Sequence, residues 1–123
     1  MNLIFVYGTL RSSGGNSGLL REARFLSSAK TADRYALYVE GIPYAVEEKG
    51  ESSIVGELWE VDDDTFRRID LLEGHPRWYV RKLILIVLDD TNDTVMAWIY
   101  FNPSPRGSIR KSGDYFEQKQ INL

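Results

Sequence analysis

The chain has 123 residues, 43% hydrophobic and 27% charged, with no cysteine, a net charge of −3 at pH 7 and a pI near 5.2, the profile of a single globular domain spanning 1–123. Disulfides, thiolate metal sites and cysteine nucleophiles are excluded, and Lys and Arg scattered without a basic block argue against nucleic-acid binding through phosphates. No apolar run approaches the roughly 18 residues of a membrane span, and MNLIFVY lacks the cationic and small-residue parts of a signal peptide, so a cytoplasmic, membrane-free protein is expected.

Residues 2–7 (NLIFVY) are apolar, with β-branched and aromatic members, and suit a buried strand ending at Gly8. RSSGGNSG at 11–18 is rich in Gly and Ser and reads as a loop. Leu19 to Leu26 suits either a short helix or an irregular turn. Residues 29–39 and 42–47 read as short strands broken at Glu40-Gly41, and EEKGESS at 47–53 as a polar turn. In SIVGELWEV, 53–61, the set Val55, Glu57, Trp59, Val61 is mostly apolar, which predicts a half-buried strand; Gly56 suggests a bulge or a close backbone approach.

Asp62-Asp63-Asp64 opens a predicted helix, since an Asp at the N-cap accepts orphan N–H bonds and first-turn acids suit the positive end of the dipole. Phe66, Ile69 and Leu72 recur on one face, Gly74 suits the left-handed position past the end, and Pro76 prevents continuation. WYVRKLILIVL (78–88), DDTND (89–93) and TVMAWIYF (94–101) form a strand, a turn and a returning strand. After Asn102-Pro103 the chain is polar and irregular. About seven short strands and one main helix give an α+β class: a small mixed, strongly curved sheet or barrel.

Two short segments draw chemical interest. Glu73 ends the helix among apolar and aromatic neighbours, where desolvation and the negative helix end both raise a carboxyl pKa toward the range of a general base; a solvated helix-end acid is the alternative. In FVYGTLRS the first strand ends at Tyr7-Gly8 and a turn-like segment follows, where successive N–H groups at 8–10 suit an anion nest, or a plain strand-to-loop turn. The G-x-x-x-x-G-K-[ST] spacing of a P-loop is missing. The single His75 supports neither a triad nor a metal site. Capping explains Asp62–Asp64, and turn chemistry explains Asp89, Asp90 and Asp93. Trp59, Trp78, Trp98 and Tyr100 read as core aromatics. Tyr115, in SGDYF, either folds over a pocket or anchors the C-terminus.

Taken together, FVYGTL, GIPYAV, IVGELWEVDDDTFRRIDLLEGHPRWYVRK, AWIYF and SGDYF resemble, in order and spacing, the γ-glutamylcyclotransferase family, including the γ-glutamylamine cyclotransferases and the plant avirulence-induced-protein-like group. The resemblance covers nearly the whole chain. It implies a cofactor-independent enzyme that releases an amine or amino acid from a small γ-glutamyl compound and leaves 5-oxoproline. It also implies that Glu73 is the acid/base and that Tyr7, Gly8, Thr9 and Leu10 bind the glutamyl moiety through their backbone, with Tyr115 a further candidate. Because the substrate's own α-amine is the nucleophile, no Ser, Cys or Lys nucleophile and no metal is required. A non-catalytic module binding a small ligand or a protein on the same fold is the competing expectation.

Overall fold

The computed structural model describes residues 1–8, 17–40, 42–103, 108–109 and 113–114. Among them are six strands, one α-helix and one 3-10 turn: β1 (Asn2–Val6), the turn Ser17–Leu20, β2 (Arg24–Glu40), β3 (Ile42–Val61), α1 (Asp63–Glu73), β4 (Val80–Leu88), β5 (Thr94–Phe101) and β6 (Ser108–Ile109). β1 pairs antiparallel with β3, β3 with β2, β2 with β4 and β4 with β5, and β5 returns to β1 in parallel register at Ile4 and Trp98. That last pairing closes a five-stranded mixed barrel, which removes the exposed edges of an open sheet.

β2 and β3 are longer than expected, at 17 and 20 residues. EEKGESS is not a turn: Lys49 pairs with Tyr35 and Ser53 with Arg34, and the ladder absorbs the polar insertion through register shifts around Arg34 and Tyr35. β3 therefore bends. Its second half is antiparallel to β1, whereas its first half meets β5 in parallel register at Ala45 and Phe101. The outer part of the β2–β3 hairpin thus folds over the barrel end where β1 and β5 finish. Short β6 extends it by pairing Ser108 and Ile109 with Val39 and Tyr38, so the C-terminal stretch is not wholly irregular.

Two apolar layers hold this arrangement. Phe5, Ile54, Leu58, Ile84, Ile86, Ala97 and Ile99 belong to one buried cluster, which fills the barrel. Ile4, Val6, Val61, Phe66, Ile69, Tyr79 and Tyr100 form the second, between the barrel wall and α1. β3 is consequently buried on both faces, and Ile54 and Leu58, the set not expected to be apolar-facing, lie inside. Gly56 makes the expected close approach: a Cβ there would fall 2.3 Å from the Val6 carbonyl oxygen and 2.7 Å from Phe5 Cζ. β4 begins at Val80, so Trp78 precedes the strand, and it is exposed and not core. Trp59 and Trp98 are partly buried against the helix-side layer, as expected of core aromatics.

Candidate active site

α1 starts where the sequence places it. The Asp62 side chain accepts from the Thr65 N–H at 2.7 Å, and Asp64 pairs with Arg67 and Arg68 on the helix surface. These contacts account for the acidic run by capping and helix-face pairing. The helix stops at Gly74, whose φ of 67° is left-handed; the Gly74 N–H donates to the Leu71 carbonyl and the His75 N–H to the Asp70 carbonyl. The Gly74 carbonyl then accepts from Arg77 and Trp78. This tight reversal presents Glu73 from the final helical position.

Phe66 and Ile69 are buried, but Leu72 and Leu71 are exposed. Leu72 and Trp78, expected to shield Glu73, are themselves exposed. Glu73 faces the barrel end: burial first, and the Glu73 charge after it, push the Tyr7 phenol up, and burial, then Asp70, and last Glu73 push the Tyr100 phenol up. Burial raises the Glu73 carboxyl from 4.5 to about 7, because low-dielectric surroundings penalise the ionised form.

Parallel pairing of β1 and β5 brings their C-terminal ends side by side. Tyr7, just past β1, is buried; its hydroxyl donates to the Tyr100 carbonyl at 2.7 Å and accepts from the Ala45 N–H at 2.9 Å. Gly8 follows as a half-buried bend. Thr9, Leu10 and Tyr115 lie outside the described residues, as does most of the glycine-rich stretch. Gly113, two residues before Tyr115, is seated on β3, its carbonyl accepting from the Val55 N–H at 2.8 Å. The structure thus brings Glu73 and Tyr7, 66 positions apart in the chain, to one end of the barrel.

Sequence reasoning missed a second set of groups there. Asp70, one turn before Glu73, accepts from Arg81 Nε at 2.9 Å and from the Tyr100 hydroxyl at 2.5 Å. The Arg81 guanidinium lies 4.3 Å from the Phe66 ring centre and 4.5 Å from that of Trp98. The Arg81 backbone N–H donates to His75 Nδ1 at 3.3 Å. A signal was available: counting back from the DDTND turn sets Arg81 opposite Tyr100 in the hairpin, which is the observed register.

No group of three or more His, Cys, Asp or Glu side chains among the described residues is arranged to hold a metal ion. What the site offers is a half-buried carboxyl that exchanges a proton near neutrality, at the end of a barrel whose strands converge on it.

Comparison with known proteins gives the same family as the motifs. The family model described as gamma-glutamyl cyclotransferase, AIG2-like, matches residues 4–117. A protein of Methanocaldococcus jannaschii, provisionally named a gamma-glutamylcyclotransferase, is 47% identical over 116 residues, covering 94% of this chain and 96% of its own. Gamma-glutamylaminecyclotransferase B of Danio rerio is 33% identical over 112 residues, covering 81% of this chain and 59% of its own. The crystal structure of an uncharacterized Pyrococcus horikoshii protein superposes with a TM-score of 0.74 at 34% identity, covering 94% of this chain and 90% of that one. The chain belongs to the gamma-glutamyl cyclotransferase, AIG2-like family and is an enzyme of that type.

Proposed function

We propose that this enzyme cyclises a γ-glutamyl compound to 5-oxoproline and releases the attached amine or amino acid, with Glu73 as the general acid/base. One observation carries the reading: burial holds the Glu73 carboxyl at about 7, beside the end of β1, where the Tyr7-Gly8-Thr9-Leu10 segment begins. A base with that affinity accepts and returns a proton with little thermodynamic cost at neutral pH.

The chemistry balances without a further reactant. The substrate's α-nitrogen forms a bond to its γ-carbonyl carbon, and the bond from that carbon to the leaving nitrogen breaks. From ammonium to ring amide the α-nitrogen loses two protons; the leaving nitrogen, from amide to ammonium, gains two. One of these passes through Glu73 and the other through solvent. The attack is intramolecular, so the protein's task is to hold the glutamyl chain bent, with amine and carbonyl in contact. The residue 7–10 segment is assigned the α-carboxylate and the developing oxyanion through its N–H groups. Tyr115 is assigned to the same pocket, which the return of the chain to β3 at Gly113 supports.

The test is Glu73→Gln, which keeps the shape and removes the proton acceptor. Release of 5-oxoproline from a panel of γ-glutamyl amines and γ-glutamyl amino acids is expected to drop about 10²- to 10⁴-fold, with an unchanged circular dichroism spectrum. Turnover by the Gln variant within a few-fold of wild type would remove Glu73 from the reaction.

A further inference from the structure

The turn that carries Glu73 is fastened through two groups of opposite charge, Asp70 and Arg81. Asp70 precedes Glu73 by one helical turn, on the same face of α1. Arg81 lies on β4, bound to Asp70 through Nε and flanked by the faces of Phe66 and Trp98. The pair is mostly buried, at 24% exposure for the Arg81 side chain and 19% for Asp70, where Coulombic effects are only weakly screened. The ionisable groups gathered around the Glu73 turn are Tyr7 from just past β1, Asp70 from α1, His75 and Tyr79 from the turn and the residue before β4, Arg81 from β4, and Tyr100 from β5. Asp70 and Arg81, one acidic and one basic, are paired with each other.

We propose that Asp70 and Arg81 are positioning residues that work as a matched pair: Asp70 cancels the Arg81 charge and, with Tyr100, ties the Glu73 turn to β4 and β5, leaving the apolar surroundings and no net local charge to govern the Glu73 proton. The tie is geometric as well as electrostatic. The Asp70 carboxylate holds Arg81 and Tyr100, the Asp70 carbonyl accepts from the His75 N–H, and the His75 ring accepts from the Arg81 N–H. The chain segment that carries Glu73 is thus fastened at both ends by a ring of contacts running through α1, the turn and β4. Asp70 and Glu73 both raise and Arg81 lowers the proton affinity of the Tyr100 phenol, after the larger effect of its burial, so the three charged groups lie within electrostatic reach of one ring.

The inference rests on Glu73 being the acid/base, but its decisive readout does not require turnover. The Glu73 side-chain carboxyl ¹³C resonance, assigned by its loss in Glu73→Gln, is titrated in the full chain. Asp70→Asn leaves Arg81 unbalanced and is expected to lower the midpoint by about one pH unit. Arg81→Gln leaves Asp70 unbalanced and is expected to raise it by a similar amount. The double variant is expected to return close to wild type. A purely structural role gives a different pattern: loosening the turn would expose Glu73 and lower the midpoint in both single variants. A midpoint that falls or stays fixed in Arg81→Gln overturns the proposal. Should Arg81→Gln fail to fold, the double variant, which buries no lone charge, decides: a midpoint that stays as low as in Asp70→Asn overturns it equally. The acid limb of 5-oxoproline release is expected to follow the same order. Activity surviving in Glu73→Gln would sink the catalytic reading alone, whereas an intact Glu73-dependent limb with no opposed shifts would sink the pair alone.

Discussion

A carboxyl held at about 7 by burial carries a consequence for folding as well as for proton transfer. In the unfolded chain Glu73 releases its proton near 4.5. Between these values the folded protein binds more protons than the unfolded one, so stability falls as pH rises through this window. Below the lower value both states are protonated and the group costs nothing; above the upper value the cost is complete, on the order of 2 kcal/mol after screening at this half-buried position. Glu73→Gln removes the cost. The variant should match wild type in urea unfolding at pH 4 and exceed it increasingly up to about pH 7.5. A stability difference that stays flat across this range would mean that Glu73 is not desolvated. The sequence made Glu73 conspicuous because an acid among apolar residues is visible locally. The neighbours that desolvate it were not visible, since Leu72 and Trp78 point outward and Tyr7 and Tyr100 arrive from other strands.

α1 is the element most fully legible in the sequence, because its signals are all short-range: an Asp cap, a periodic face and a glycine stop. Its last residue is useful only if the stop is sharp. Gly74 meets that need twice, through its φ of 67° and through space, since a Cβ there would lie 3.2–3.3 Å from the Trp78 ring and Cβ. Gly74→Ala should therefore cost about 1–2 kcal/mol, part from the left-handed backbone and part from crowding Trp78. Because Trp78 is exposed, Trp78→Ala separates the two: in that background the cost of Gly74→Ala should shrink but not vanish. A full cost in both backgrounds would assign it to the backbone alone. Activity should fall with Gly74→Ala even where the protein stays folded, since the same turn aims Glu73. The long strands were less legible than α1. EEKGESS has the composition of a turn, and only the partner strand, through its bulges, shows how it stays in the ladder.

Closure of the barrel is a property of the whole chain, and local patterns do not report it. The hairpin of β4 and β5 follows from its turn residues, but the parallel meeting of β1 with β5 joins segments more than ninety positions apart, at Ile4 and Trp98, and nothing in either segment announces the other. The seam between β3 and β5 is thin, with one ladder pair at Ala45 and Phe101. One further hydrogen bond and a phenol reinforce it: the Asn102 N–H donates to the Ala45 carbonyl at 2.7 Å, while the Tyr7 hydroxyl bridges the Ala45 N–H and the Tyr100 carbonyl. Tyr7 thus substitutes a side chain for missing ladder bonds and pins three strands at the end of the barrel that carries Glu73. Replacing it with Phe keeps the ring and strands two buried backbone groups, at about 1–3 kcal/mol for each left unpaired. Tyr7→Phe should lower stability by about 2–6 kcal/mol, and amide exchange should quicken at Ala45 and Asn102 before it does so at Ile84 or Ile99 in the barrel interior. If exchange rises uniformly instead, the seam opens only with global unfolding and the phenol is not a local latch. If the seam does open first, the hairpin arm over the site is a part of the barrel that can yield to a substrate, because it is held to β5 by few bonds while β1 with β3 and β4 with β5 share continuous ladders.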